Sequence, residues 1–313
     1  MTTSPETAPL DLASRWGGVS RTIDLDGPVH WVDFGGPDAD PGVPEAPPVV
    51  LVHGLGGSHL NWVAIAPALA ARRRVVALDL PGFGLSPALG RATSVNHNAA
   101  LLSRFVHEVL GRPVVLVGNS MGGMVSLLLA DRRPEQVVGL ALVDPALPNP
   151  GVRADPQVAA TFAMYAVPRV GELVLTRYNQ SVSDRQRVLG TVALCFADPS
   201  RADDDVVEAG IELAAWRRSL PDPEGEFLGA ARSLLRVLRG RREYDRIMRD
   251  LDRPVLLIHG TRDRFVPVGA AKRTARLNPS WHTAYLEGRG HTPQLEAPEE
   301  VLGHLEHWLG SLG

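Results

Sequence analysis

The sequence predicts an α/β fold in which a doubly wound, mostly parallel sheet is interrupted by a helical insertion. Short apolar runs alternate with helical segments up to residue 146 and again from residue 254, a pattern typical of parallel sheets covered by helices on both faces. Between about 147 and 250 the strand signals disappear, and prolines separate amphipathic helical pieces. With 313 residues, the chain can bury a sizeable core.

The apolar runs define the strands in chain order. A leading hairpin is predicted at 20–25 and 29–34, because Asp26-Gly27 between the two runs favours a tight turn. Buried parallel strands are predicted where nearly every residue is apolar, at 48–52, 112–117, 137–143 and 253–260. A last strand is predicted at 281–286, and a closing helix from about 298 to 309.

These elements divide the chain into three parts. Residues 1–18 precede the first strand signal and are predicted to form a flexible tail. Residues 19–146 and 251–313 are predicted to form the α/β core, and residues 147–250 the helical insertion. Long insertions are usually functional, so the helices are expected to take part in substrate binding.

The segment 118–123, Gly-Asn-Ser-Met-Gly-Gly, carries the strongest chemical signal. It places Ser120 between an apolar strand and an apolar helix, with Gly118 and Gly122 two positions away on either side, which fits the G-x-S-x-G nucleophile elbow. Side chains at the glycines would collide with neighbouring backbone in so tight a turn. The free N–H groups at the start of the following helix favour developing negative charge. Ser120 is therefore the candidate nucleophile.

A nucleophilic serine requires a base and a group that orients that base. Elbow enzymes carry these residues in the chain order serine, acid, histidine. Asp263 lies in the loop after the predicted strand 253–260, and His291 lies in the loop after 281–286. Open α/β sheets gather their chemistry at the carboxyl ends of the strands, so we expect Ser120, Asp263 and His291 to meet in one site.

Together with three further segments, these residues resemble the α/β-hydrolase fold superfamily, and the likeness covers nearly all of the core. The segment 53–57, His-Gly-Leu-Gly-Gly, resembles its oxyanion loop, and 79–86, Asp-Leu-Pro-Gly-Phe-Gly-Leu-Ser, resembles the turn after its next strand. The segment 290–298 resembles the one that carries its catalytic histidine. The resemblance implies an eight-stranded sheet and a helical cap at 147–250 that covers the active site.

The same resemblance implies nucleophilic acyl transfer. Ser120 would attack a carbonyl carbon, and His291 would take its proton and return it to the leaving group. Asp263 would hold the imidazole in its useful tautomer. The backbone N–H groups of Leu55 and Met121 would bind the tetrahedral oxyanion.

Two choices stay open at this stage. Some relatives take their acid from the position of Asp144, which follows the strand 137–143 and is the alternative to Asp263. The substrate pocket is expected to include Asn119, beside the nucleophile, and side chains of the insertion. Those side chains serve equally well as the insertion's own core, and the candidates are Phe162, Met164, Tyr165, Leu173, Leu194, Phe196 and Trp216.

Composition narrows the class of protein. The formal net charge is −3, from 32 basic and 35 acidic residues, which gives no sign of a nucleic-acid or anionic-membrane partner. The lone Cys195 excludes an internal disulfide framework. We expect no metal and no cofactor, because the sequence contains no metal-binding cluster or dinucleotide fingerprint. A secretory signal is not apparent and no apolar run approaches the roughly 20 residues of a membrane span, so a cytoplasmic location is expected.

The leading hypothesis is a serine hydrolase that cleaves a carboxylic ester of a small to medium apolar substrate. The alternative is a carbon–carbon hydrolase of aromatic ring-cleavage products, vinylogous diketo acids, because the elbow also resembles that of those enzymes. They usually carry a tryptophan after the catalytic histidine, whereas Thr292 stands here. A third hypothesis is a non-catalytic receptor on the same fold, since fold alone does not fix function. The natural substrate and the oligomeric state are left open.

Overall fold

A computed structural model describes residues 10–37, 46–148 and 155–312. The described residues form one eight-stranded sheet whose strands are β1 Val19–Asp24, β2 Pro28–Asp33, β3 Val49–Val52, β4 Val75–Leu78, β5 Val114–Asn119, β6 Val137–Val143, β7 Val255–Gly260 and β8 His282–Leu286. Their spatial order is β1-β2-β4-β3-β5-β6-β7-β8. Both pairings of β2 are antiparallel, and all the others are parallel.

The helices follow the strands in two groups. Those that flank the sheet are α1 Ala66–Ala70, α2 Val95–Phe105, α3 Met121–Arg132, α10 Val268–Leu277, α11 Pro293–Glu296 and α12 Pro298–Gly310. Six more lie between β6 and β7 and are called the helical insertion below: α4 Pro156–Ala166, α5 Val170–Ser181, α6 Asp184–Cys195, α7 Asp204–Arg218, α8 Pro223–Arg239 and α9 Arg241–Arg249. The fold class is the predicted one, an α/β fold with a mostly parallel sheet.

Both faces of the sheet are buried, which explains the continuous apolar runs. In β3, Val50 and Val52 belong to one core cluster, whereas Val49 and Leu51 belong to the cluster on the opposite face. Because successive side chains of a strand point to opposite faces, a strand covered on both sides must be apolar throughout.

The predicted leading hairpin is formed by β1 and β2. It turns at Asp26 and Gly27, which both have positive φ angles.

The described part of the predicted N-terminal tail is packed, and the expectation of a flexible tail over 1–18 is wrong there. Leu12 and Ala13 are fully buried and join the core cluster that contains β3 residues Val49 and Leu51. A short 3₁₀ helix follows at Ser14–Trp16. The first nine residues of that prediction lie outside the described residues.

Among the described residues, each helix taken singly is too short or too polar to cross a bilayer. The helices α4 and α5 together meet the length and composition expected of a span, but their axes are bent by 118°.

Candidate active site

Ser120 stands at the junction between β5 and α3 in strained backbone. Its φ of 53° and ψ of −115° are unusual for a residue with a side chain. The Ser120 N–H donates to the carbonyl of Val143 on the neighbouring strand at 3.1 Å, which fixes the turn. The side chain is half-buried, so the hydroxyl lies at the surface of a cavity rather than inside the core.

The flanking glycines are required by close backbone contacts. A Cβ atom at Gly122 would lie 2.1 Å from the carbonyl oxygen of Val52, and one at Gly118 would lie 2.6 Å from the backbone of Gly122. Cβ atoms essentially never approach other atoms so closely. The G-x-S-x-G spacing therefore lets α3 begin directly against the sheet, with Ser120 at the apex.

His291 and Asp263 form a buried hydrogen-bonded pair. The Nδ1 atom of His291 lies 2.7 Å from Oδ2 of Asp263. The other carboxylate oxygen accepts the backbone N–H groups of Phe265 at 2.7 Å and Val266 at 3.0 Å. Burial raises the pKa of Asp263, but the charge and hydrogen bond of His291 outweigh that effect, and the pKa lies below its usual value. An ionised Asp263 accepts a hydrogen bond from Nδ1–H of His291, which leaves Nε2 as the ring nitrogen without a hydrogen.

Asp144 lies behind this pair, at the end of β6. One of its oxygens, one oxygen of Asp263 and one ring nitrogen of His291 all lie within 4.8 Å of one another. The hydrogen bond to His291 nevertheless comes from Asp263. Oδ1 of Asp144 accepts the Gly260 N–H at 2.9 Å. Complete burial, followed by the charge of Asp263, raises the pKa of Asp144 well above its usual value.

The segment after β3 is held by His53 and brings Leu55 to the site. Nδ1 of His53 donates to the carbonyl of Gly54 at 2.7 Å, and Nε2 accepts the Leu80 N–H at 3.0 Å. Burial lowers the pKa of His53, consistent with this neutral tautomer. The carbonyl of Gly54 and the N–H of Leu55 belong to one peptide and point in opposite directions, so His53 also fixes the direction of the Leu55 N–H. The Met121 N–H begins α3 and has no partner within the helix.

A second buried polar cluster supports the same segment. The carboxylate of Asp79 accepts Nδ1–H of His30 and Nδ1–H of His59, each at 2.9 Å, and the backbone N–H groups of His59 at 2.6 Å and Leu85 at 2.9 Å. Burial raises the pKa of Asp79, but its two histidine partners hold it well below the usual range. His30, His59 and Asp79 could ligate a metal by spacing. Nδ1 of each histidine is hydrogen-bonded to Asp79, and Nε2 of each has no hydrogen-bond partner among the described residues.

The helical insertion meets the histidine loop directly, through contacts that sequence reasoning missed. The N–H of His291 donates to the carbonyl of Cys195 at 2.6 Å. Glu296 accepts the backbone N–H groups of Ala197 at 3.1 Å, Asp198 at 2.9 Å and Gly290 at 2.7 Å. The sequence shows only that Glu296 stands between the apolar residues Leu295 and Ala297. That pattern does not identify the backbone groups that Glu296 binds.

Ser120 and His291 line the same cavity, which has a volume of about 360 Å³. Its floor comes from the segment 54–61 and the elbow, and its walls come from α6, α7 and the residues around them. The lining is largely apolar, with side chains of Leu55, Leu60, Val188, Val192, Phe196, Val206, Val207, Leu213 and Leu295.

Only some of the residues predicted to line the substrate pocket do so in the structure. Asn119 and Phe196 line the cavity, although the Asn119 amide is used in hydrogen bonds to the carbonyls of Val143 and His291, each at 3.0 Å. The cavity is not lined by Phe162, Met164 or Trp216, nor by Tyr165, Leu173 or Leu194. Phe162 and Trp216 pack against the two core clusters, and Met164 faces outward. Helical periodicity identifies an apolar face but not what covers it, so these three assignments were wrong.

Known proteins resemble the chain over most of its length. It is 29% identical over 268 residues to the pimeloyl-acyl-carrier-protein methyl ester esterase of Aeromonas hydrophila, covering 85% of this chain and 96% of that protein. It is 30% identical over 256 residues to the esterase of the same name from Aromatoleum aromaticum, covering 81% and 94%.

A solved structure shares the fold. The 2-hydroxy-6-oxo-6-phenylhexa-2,4-dienoate hydrolase of Rhodococcus sp. strain RHA1 superposes with a TM-score of 0.72 over 94% of this chain and 99% of that one, at 24% identity. Residues 47–298, which include the elbow, Asp263 and His291, match the family model described as the alpha/beta hydrolase fold. The chain therefore belongs to the alpha/beta hydrolase fold family.

Proposed function

We propose that the protein is a serine hydrolase that cleaves a carboxylic ester of a small to medium apolar substrate through an acyl-enzyme on Ser120. The observation that carries the proposal is the shared cavity of Ser120 and His291, with Asp263 hydrogen-bonded behind the imidazole at 2.7 Å. A strained serine, a base and an acid that orients the base are the three parts that nucleophilic acyl transfer requires.

The proposed reaction begins when Nε2 of His291 takes the proton of Ser120 as Oγ attacks the ester carbonyl. Asp263 holds the ring and stabilises the imidazolium that forms. The N–H groups of Leu55 and Met121 bind the oxyanion, and His291 then protonates the departing alcohol. Water, deprotonated by the same histidine, releases the acid and restores Ser120.

The cavity supports the proposed substrate class. About 360 Å³ lies at the lower end of the range for small-molecule sites, and its apolar walls suit an aliphatic or aromatic acyl group. Both arginines in the described lining have carboxylate partners, Arg187 in Asp184 and Arg217 in Glu226. A substrate carboxylate would therefore compete with existing ion pairs, which favours a neutral ester over a diketo acid.

The helices α6 and α7 are proposed to act as a cap over this cavity. Their side chains form its walls, and the carbonyl of Cys195 at the end of α6 binds the backbone of His291. The esterases of Aeromonas hydrophila and Aromatoleum aromaticum are named for the methyl ester of a pimeloyl chain on acyl-carrier protein. Methyl esters of medium-length acids are accordingly the first natural-type substrates to offer, beside p-nitrophenyl esters.

The decisive test measures hydrolysis of short p-nitrophenyl esters and covalent labelling by a fluorophosphonate. We expect turnover and labelling in the wild type and in Ser181→Ala, a control at an exposed serine. Both should be lost in Ser120→Ala, because the elbow then carries no nucleophilic oxygen. Substantial turnover by Ser120→Ala would refute the serine mechanism, and a wild type that neither labels nor turns over would favour a receptor.

The bond type is tested separately. A vinylogous diketo acid and a panel of methyl and p-nitrophenyl esters should be compared by kcat/KM under the same conditions. We expect the esters to be preferred. A preference for the diketo acid would replace the ester assignment by carbon–carbon hydrolysis, on the same three residues.

A further inference from the structure

Two buried aspartates share the space beside His291, and the proposed mechanism uses only one. Asp144 is fully buried, and Asp263 is 7% exposed. They follow the adjacent parallel strands β6 and β7, so their carboxyl groups reach the same point at the edge of the sheet. An oxygen from each, with a ring nitrogen of His291, falls within 4.8 Å. Two negative charges so close together in a buried site strongly disfavour each other.

The hydrogen bonds determine which aspartate carries the charge. Asp263 receives three donors: the imidazole of His291 and the N–H groups of Phe265 and Val266. Asp144 receives only the Gly260 N–H on Oδ1, and its Oδ2 has no hydrogen-bond partner among the described residues. Hydrogen bonds to the ionised form favour ionisation, so the negative charge resides on Asp263.

Among the described residues, the other titratable groups around Asp144 do not supply a compensating cation. His259 places Nδ1 3.6 Å from Oδ1 of Asp144. Its Nε2 lies 2.8 Å from the carbonyl of Val266, which can only accept, so Nε2 carries the hydrogen. Burial lowers the pKa of His259, which keeps the ring neutral. Glu296, on α11, adds a further negative charge nearby.

We propose that Asp144 is a neutral carboxylic acid at neutral pH, and that it becomes the charged partner of His291 when the carboxylate of Asp263 is removed by substitution. The proton on Asp144 removes the repulsion between the two carboxyl groups. Because Asp144 lies beside His291, it can replace Asp263 as the orienting acid, which is called the reserve role below. Asp144 acts through Asp263 and His291 rather than on the substrate, and is therefore a positioning residue. The reserve role rests on the proposed function, but the neutral state of Asp144 does not.

The backbone at Asp144 makes a clean substitution available. Its φ is +44°, in the left-handed region where asparagine and aspartate are the most readily tolerated residues with side chains. Asp144→Asn keeps an acceptor for the Gly260 N–H and replaces Oδ2–H by an amide donor. Since Asn resembles the protonated acid, we expect Asp144→Asn to keep kcat/KM within about threefold of wild type, as a swap that retains the hydrogen-bonding roles should.

The neutral state is tested without any assay of activity. The infrared difference spectrum between wild type and Asp144→Asn at pH 7 should contain the carbonyl stretching band of a protonated carboxylic acid. Bands of an ionised carboxylate alone would overturn the proposal.

The reserve role is tested by a double-mutant cycle of Asp144→Asn and Asp263→Asn, with thermal unfolding to verify that each variant folds. We expect Asp263→Asn to retain at least about tenfold more kcat/KM than the double variant, since residues that act as a unit are strongly non-additive. The activity of Asp263→Asn should also rise with pH as Asp144 ionises, a step absent from the double variant. Equal activities and equal pH profiles would overturn the reserve role.

Ser120→Ala, run in the same assay, sets the background. If it retains the activity, the proposed serine mechanism has failed, and the infrared result alone then decides the state of Asp144. If it is inactive, the cycle reports on the reserve acid.

Discussion

At the scale of single residues, the site depends on chain positions that follow strand ends. Ser120, Asp263 and His291 were identifiable because each follows a predicted strand, and parallel strands deliver such residues to one edge of the sheet. The distinction between Asp263 and Asp144 could not be made in this way, because both satisfy the rule. The N–H groups of Phe265 and Val266, in the loop after β7, donate to Asp263 and distinguish it from Asp144. The direction of these N–H groups depends on the conformation of the loop, which no local sequence pattern predicts.

The protonation of Asp144 also has a consequence for stability. Its pKa is raised by burial, so above about pH 4 the unfolded chain has released a proton that the folded protein keeps. The unfolding free energy then falls by about 1.4 kcal/mol for each pH unit up to the folded-state pKa. Asp144→Asn has no carboxyl group at this position and does not lose this free energy. The difference in unfolding free energy between the variant and wild type should therefore change in favour of the variant as pH rises.

Urea unfolding of both proteins between pH 4 and pH 8 measures this difference. A difference that stays constant, or that shrinks as pH rises, would contradict a raised pKa at Asp144. Asp155→Asn is the control, because that carboxylate is half-buried and its pKa is lowered rather than raised, first by its hydrogen bond to Arg264.

At the scale of elements, the strands were predictable and the partners of the insertion's helices were not. An apolar run buried on both faces needs no knowledge of its neighbours to be recognised. An amphipathic helix reveals only that one face is covered. Phe162, Met164 and Trp216 were wrongly assigned to the cavity for that reason. The contact of α6 with the histidine loop uses the backbone carbonyl of Cys195, which every residue type carries, so the sequence could not reveal it.

Glu296 is the main polar link between the insertion and the histidine loop, because it accepts three backbone N–H groups from the two segments. Glu296→Gln replaces one acceptor oxygen by a donor and leaves at least one buried N–H unpaired, at a cost of roughly 1–3 kcal/mol. We expect faster amide exchange at 195–198 and 288–291, and a lower kcat. Glu299→Gln, at an exposed position on α12, should leave both unchanged. Unaltered exchange in Glu296→Gln would show that the link is not limiting.

At the scale of the whole molecule, the segment before β1 joins the core to the insertion. Leu12 is buried among core side chains, and Trp16 lines the cavity. Between them, Arg15 lies 3.6 Å from carboxylate oxygens of Asp205 and Glu212 on α7. These ion pairs are exposed and contribute little. The buried apolar contact is therefore the one that holds the segment, and it escaped sequence analysis because two isolated apolar residues form no periodic pattern.

Leu12→Ala is accordingly expected to lower the unfolding free energy by about 2–5 kcal/mol, the usual range for truncating a buried leucine. Because Trp16 is carried by the same segment, KM should rise for esters that fill the cavity, while fluorophosphonate labelling of Ser120 persists at temperatures where the variant is folded. Leu173→Ala, at a side chain that is 52% exposed, should change the unfolding free energy by less than about 0.5 kcal/mol. If Leu12→Ala and Leu173→Ala have the same free energy of unfolding, burial of Leu12 does not stabilise the protein, and the prediction is wrong.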